Sequence, residues 1–189
     1  MKSNALISII VSLMIIGCSR PLVQFYPDHY YNNQRVYENK PLRFLLTFRG
    51  NWDIVTDPNL MERSFRKEAE FFSKSGLELL FIGSTTEGYH GTRGVAANLN
   101  DPAEEYATNI RNLNKQDIQN DQGFTISDNE GITVVKWVYD KNGYRFAEFF
   151  FNIDTYDIRI AFWSRPEYFN KFLSVYEEII GSLTVTNGL

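Results

Sequence analysis

Thirty-three residues, Gly131 to Trp163, constrain the fold more than any other stretch: GITVVKWVYDKNGYRFAEFFFNIDTYDIRIAFW. β-branched and aromatic residues dominate it, as a pleated surface prefers. Asp140-Lys141-Asn142-Gly143 breaks it once, with Gly143 suited to the left-handed position of a short hairpin. Asp154-Thr155 sits near a second break. Three consecutive antiparallel strands follow from this pattern. Ile132, Val134 and Val138 fall on one face, Val135, Trp137 and Tyr139 on the other. In the third strand Tyr156, Ile158, Ile160 and Phe162 oppose Asp157, Arg159, Ala161 and Trp163. A sheet with one wet face alternates cleanly between apolar and polar residues. This one does not, so both faces need cover.

The chain of 189 residues suits one domain, and its 15% aromatic content supplies a sizeable core. A net charge of −4 and the lack of a basic run give no electrostatic reason to bind nucleic acid. Cys18 is the sole cysteine, which excludes an internal disulfide and a cysteine-rich metal site.

Lys2 precedes an apolar run, Ala5 to Ile16, interrupted by Ser8 and Ser12. It is short for a membrane-spanning helix and fits the hydrophobic region of a signal peptide. Ile15-Ile16-Gly17-Cys18 follows at once and resembles the lipobox of bacterial lipoproteins, although Leu is commoner than Ile at its first place and Ala or Ser at its second. The resemblance implies cleavage before Cys18, a diacylglycerol on its sulfur and a lipid anchor as the sole membrane attachment. It places the protein in the bacterial cell envelope, and the absence of Asp at Ser19 favours the outer membrane. The expected organisation is a signal peptide over residues 1–17, a lipidated Cys18 with a tether over 18–41, and a single domain over 42–189. Pro21, Pro27 and Pro41 and the lack of any period support the tether. Phe25, Tyr26, Tyr30 and Tyr31 are unusual in a spacer and suggest partial packing on the domain, and Arg35-Val36-Tyr37 reads as a short edge segment within the tether.

In the domain, Leu42, Phe44, Leu46 and Phe48 share one face of a strand. Arg49-Gly50-Asn51 turns it, and Trp52 to Val55 returns. Asp57 caps a helix with Pro58 at its first position, carrying Met61, Phe65, Ala69 and Phe72 at helical spacing to Lys74. Leu77 to Ser84 and Thr92 to Leu99 read as paired strands. Asp101-Pro102-Ala103-Glu104 reads as a capping box before a helix with Ala103, Tyr106, Ala107, Ile110 and Leu113 as its apolar stripe. Asn114 to Gln122 is polar loop, and Phe124 to Ser127 a short strand. Ser164 starts a third helix by the same box logic, with Phe169, Phe172, Leu173, Tyr176 and Ile180 inward. Leu183 to Val185 adds a last strand.

Three amphipathic helices among about seven strands joined by hairpins give an α+β class with an antiparallel sheet. A sheet apolar on both faces then predicts helices on both, an α/β/α sandwich. The early hairpin Gly50-Asn51-Trp52, the Asp101 to Ala107 helix DPAEEYA, the aromatic meander around Gly143-Tyr144 and the final helix into Ile180-Gly181-Ser182-Leu183 together resemble the PsbP-like family. That family is named after an extrinsic subunit of photosystem II. The resemblance spans Leu42 to Val185 and implies an accessory or assembly role without chemistry. A cystatin-like or nuclear-transport-factor-like domain is the competing fold.

Chemistry is sparse. His29 and His90 are the two histidines, and their separation argues against a histidine metal site. Gly88, Gly91 and Gly94 form a glycine-rich segment with His90 and Arg93. Its backbone N–H groups and charges could hold an anion. It lacks the lysine and the following helix of a phosphate loop, so a plain hairpin loop is the competing reading. Asp117, Gln119, Asp121 and Asp128 have a calcium-loop flavour, but the glycine falls at Gly123 instead of Gln122 and Asp128 replaces the bidentate Glu. Glu104-Glu105 and Glu177-Glu178 are adjacent on helices and face apart. No nucleophile signature is present. The expectation is a lipid-anchored, non-enzymatic interaction or assembly module with a protein partner in the envelope and no cofactor. The alternative is a small-ligand or ion-binding domain using Gly88 to Gly94.

Overall fold

The computed structural model describes residues 28–64, 71, 74, 76–87 and 89–186. Cys18 and Gly88 lie outside the described residues, as do Phe65, Ala69 and Phe72 of the first predicted helix.

The described chain forms two antiparallel sheets. The smaller has the order β1-β2-β3-β11, built from β1 (Asp28–Tyr31), β2 (Val36–Asn39), β3 (Phe44–Thr47) and β11 (Thr184–Val185). The larger has the order β4-β5-β6-β10-β9-β8-β7. Its strands are β4 (Trp52–Val55), β5 (Leu77–Thr85), β6 (His90–Ala97), β7 (Phe124–Asn129), β8 (Ile132–Lys141), β9 (Tyr144–Ile153) and β10 (Tyr156–Ser164). Helices α1 (Pro58–Ser64), α2 (Ala103–Asn114) and α3 (Pro166–Gly181) connect them.

The meander forms as the sequence predicts. Asn142 and Gly143 both take positive φ, the twist that a two-residue hairpin needs. Asp154 takes positive φ at the second turn, where its carboxylate pairs with Arg43, just before β3 of the smaller sheet. Burial of Trp137, Val138, Phe150, Phe151, Ile158 and Phe162 shows that both faces of the larger sheet are dry.

The cover of those faces corrects the α/β/α expectation. The molecule is a β-rich, two-sheet fold. On the first face the larger sheet meets the smaller sheet, with α3 beside it. Tyr37, Phe44, Leu46 and Phe48 join Phe81, Phe151, Ile160, Phe162, Phe169 and Tyr176 in one core. On the second face, Ala103, Tyr106 and Ala107 of α2 pack on Val135, Trp137, Tyr139 and Phe150. The physical reason is that residues 28–39, read as tether, form a hairpin whose partner strand β3 lies beside it. Tyr37 is wholly buried and sets its ring 4.7 Å from that of Phe81, which ties the two sheets together. The packed domain therefore extends back to at least Asp28.

Helix starts differ in detail. Asp57 caps α1 as expected, its side chain accepting from the Asn59 backbone N–H at 2.8 Å. The two predicted capping boxes do not form. Pro102 and Arg165 occupy the caps without side-chain bonds, and the Ser164 hydroxyl donates to the Arg165 carbonyl. On α3, Phe169, Phe172, Tyr176 and Ile180 are buried as the spacing requires.

Candidate functional site

From His90 onward the glycine-rich segment is strand and not loop. β6 begins at His90, and Gly91, Arg93 and Gly94 lie inside it, between β5 and β10. The glycines admit rings. A Cβ on Gly91 would stand 2.6 Å from the Trp163 indole, and one on Gly94 would stand 2.5 Å from the Phe81 ring. Real contacts are never that short, so both positions are small because aromatic side chains lie across the strand.

His90 and Arg93 are three positions apart, an odd number, so strand alternation sends them to opposite faces. His90 belongs to the first face. Its ring stacks on Phe172 and meets Trp52 edge-on at 4.8 Å. It is 8% exposed, and burial lowers its pKa, with Glu87 acting against that shift and Lys171 with it. Arg93 belongs to the second face, where its charge reaches the Tyr139 phenol. One small ligand cannot meet both side chains.

Polar groups that the sequence reading passed over collect on the second face. Ala161 of β10 lies opposite Arg93 on one side and Glu148 on the other. Arg159 follows two residues along. Glu148 is 3% exposed and accepts a 3.1 Å hydrogen bond from the Tyr139 hydroxyl. Burial and the Glu148 carboxylate hold that phenol protonated, well above its ordinary range, while Arg159 and Arg93 pull the other way. Burial likewise raises Tyr106. A phenol held in this way is a donor and no base near neutral pH.

Asp157 is wholly buried at the start of β10. Its carboxylate accepts from the backbone N–H groups of Leu99, Asn100 and Asp101 at 2.8, 3.0 and 3.1 Å, and from Asn152 Nδ2 at 2.9 Å. This bond set holds the approach to α2, the task the sequence assigned to Asp101 as a cap. The signal was present: Glu148, Asp157 and Arg159 interrupt strands that are otherwise apolar.

The acidic residues after α2 are engaged separately. Asp121 accepts from Gly123 N, Trp137 Nε1 and Arg111 Nε. Asp117 pairs with Lys141, and Asp128 accepts from Gly131 N. Among the described residues no group of three or more His, Cys, Asp or Glu side chains is placed to hold a metal ion. On the first face a groove of about 330 Å³ runs between β7 and the end of α3, over Val134, Lys136 and Phe149, with Glu177 and Ile180 as its far wall. Lys136 and Glu177 pair across it at 2.6 Å. No described helix is long and apolar enough to cross a membrane.

No protein-family model matches the chain, and no curated protein matches it in sequence. Among solved structures it is similar to cyanobacterial PsbP (CyanoP) from Synechocystis sp. PCC 6803, determined in solution. The likeness has a TM-score of 0.58 at 10% identity and covers 79% of this chain and 91% of that one. At that identity the likeness speaks for architecture alone, and the domain has a PsbP-like fold.

Proposed function

We propose that the protein is a lipid-anchored component of the bacterial cell envelope, held in the outer membrane through Cys18, whose PsbP-like domain is a non-enzymatic accessory or assembly module. The observation that carries the module reading is the extent of the fold likeness, which covers 79% of this chain and not one motif. The second face adds support, because its charged groups are turned inward. Asp157 is saturated by backbone donors, and Glu148 is bound to a phenol that keeps its proton. Such bonds hold the strands and the approach to α2 in place. The lipobox around Cys18 supports the anchor. Two or three acyl chains, at about 0.8 kcal/mol per buried CH₂, give lasting attachment where one gives brief visits.

The test has two arms. Palmitate labelling of the full chain and of Cys18→Ser reads the anchor, and equal labelling of both removes it. Affinity isolation of the full chain from detergent-solubilised membranes reads the module. The expected result is a membrane protein recovered in fixed proportion with the wild-type chain. Recovery of the chain with no companion at any detergent strength overturns that part.

A further inference from the structure

β7 is the end strand of the larger sheet, and among the described residues nothing pairs with its outer side. Natural edge strands are protected by lysine, proline or a bulge. Phe124-Thr125-Ile126-Ser127-Asp128-Asn129 has no lysine or proline, and its register with β8 runs unbroken from Phe124 to Asn129. At its centre Ile126 is 53% exposed. It sits opposite Val135, so it shares the second face with Phe124 and Asp128.

We propose that β7 pairs antiparallel with β7 of a second copy of this chain, about a two-fold axis through Ile126, joining two seven-stranded sheets into one. A two-fold axis perpendicular to a sheet keeps each face on its own side. Only residues of the same face can then stand opposite one another. Centring on Ile126 sets it against Ile126 of the second copy, Thr125 against Ser127, and Phe124 against Asp128. Centring on Ser127 would set Ile126 against a carboxylate, and centring on Thr125 would leave Asp128 unmatched. The Ile126 register covers both exposed isoleucines with each other.

Charge selects the same register. The Arg111 guanidinium lies over the Phe124 ring, 5.2 Å from its centre, and its side chain is 40% exposed beyond its pair with Asp121. Directly opposed cross-strand residues stand about 4.5–5.5 Å apart. Asp128 of the second copy, set against Phe124, thus comes within reach of Arg111, and symmetry repeats the pair. Asp128 is the sole charged residue of β7, so no like charges meet along the join. The occupant that this strip fits is its own copy. The pairing stands independently of the accessory-module reading and of the lipid anchor.

The experiment measures the mass of the full chain in non-ionic detergent by sedimentation equilibrium across concentration. A two-chain species at micromolar concentration is expected. Ile126→Lys should raise its dissociation constant by about a hundredfold or more, since like charges then meet on the axis, with the melting temperature of the dilute single chain unchanged. Arg111→Glu should weaken the pairing, and adding Asp128→Arg should restore it. A second readout does not rely on those variants. In a Cys18→Ser background, oxidation of the purified chain should cross-link Ile126→Cys between copies and leave Asp128→Cys uncross-linked. A single-chain mass at every concentration, or a two-chain mass indifferent to Ile126→Lys, overturns the proposal. So does a single-chain protein from which Ile126→Lys removes a different co-purifying protein, which would give the edge to that partner.

Discussion

His90 and Phe172 lie face to face, with ring centroids 3.9 Å apart and planes 11° from parallel. The contact joins the first residue of β6 to the inner face of α3. Phe172 also carries Lys171 near its ring at 5.1 Å. Phe172→Ala removes a buried ring and unroofs the imidazole, so it should destabilise the domain by about 3–5 kcal/mol. Urea unfolding checks this. A loss below about 1 kcal/mol would place Phe172 outside the core.

The same burial makes His90 sensitive to acid. Its folded pKa lies below the usual 6.5. Between those two values the unfolded chain binds more protons than the folded one, so stability falls as pH falls. The contribution is whole above 6.5 and is lost progressively below it. Glu87 and Lys171 are the charged groups that act on it. His90→Phe, which keeps the stack, should flatten that part of the stability profile followed by thermal melts from pH 8 to pH 5.

Asp28 should act in the opposite sense. Burial raises its carboxyl to about 6 from 3.8, against a lowering hydrogen bond from Tyr37. The folded state therefore binds the extra proton, and Asp28 stabilises below 3.8 and loses that contribution as pH rises through about 6. Asp28→Asn should melt higher than wild type at neutral pH. The difference should close below pH 4. A variant that melts lower at pH 7 would show that the charged form is the better-housed one.

Gly94 and Phe81 form a size-matched pair across β5 and β6. Gly94→Val should cost about 1–3 kcal/mol through overpacking. Combining it with Phe81→Leu should recover part of the loss, which a double-mutant cycle reads as a favourable coupling. Strict additivity would mean that the glycine serves something other than the ring.

Asp157→Ala leaves three backbone donors without their acceptor. The expected cost is roughly 2–4 kcal/mol, together with faster amide hydrogen exchange at Leu99, Asn100 and Asp101. Asp157→Asn should be milder, because one carbonyl oxygen remains to accept. Exchange at those amides unchanged in Asp157→Ala would remove its role as the anchor of that approach.

The meander was legible because its turns and its alternation agree: Asn142-Gly143 and the two-faced apolar strands admit little else. The inner face of α3 was legible from spacing alone. The smaller sheet was legible only in part: Phe44–Thr47 and Thr184–Val185 read as strands, but the hairpin of Asp28–Tyr31 and Val36–Asn39, four residues each, is too short for a period to emerge between prolines. That omission produced the wrong expectation of helices on both faces. The glycine-rich segment misled for a different reason. Glycine usually marks a turn, whereas Gly91 and Gly94 are strand residues selected by rings supplied from Trp163 and Phe81, and only the register reveals those neighbours. Asp157 shows the limit again: its sequence position says buried strand, and its backbone partners lie more than fifty residues away.

Thr184 and Val185 pair with Leu45 and Phe44, and the Ser182 hydroxyl accepts from Thr47 N at 2.8 Å. β3 thus has a near neighbour in sequence on one side and a distant one on the other. Closing so long a loop costs entropy before any contact rewards it, and non-local pairings of this kind slow folding. The β1–β2–β3 ribbon can assemble early, but its last edge stays open until α3 has docked. During synthesis, that open edge is the surface on which a nascent chain would be most exposed to mispairing with its neighbours.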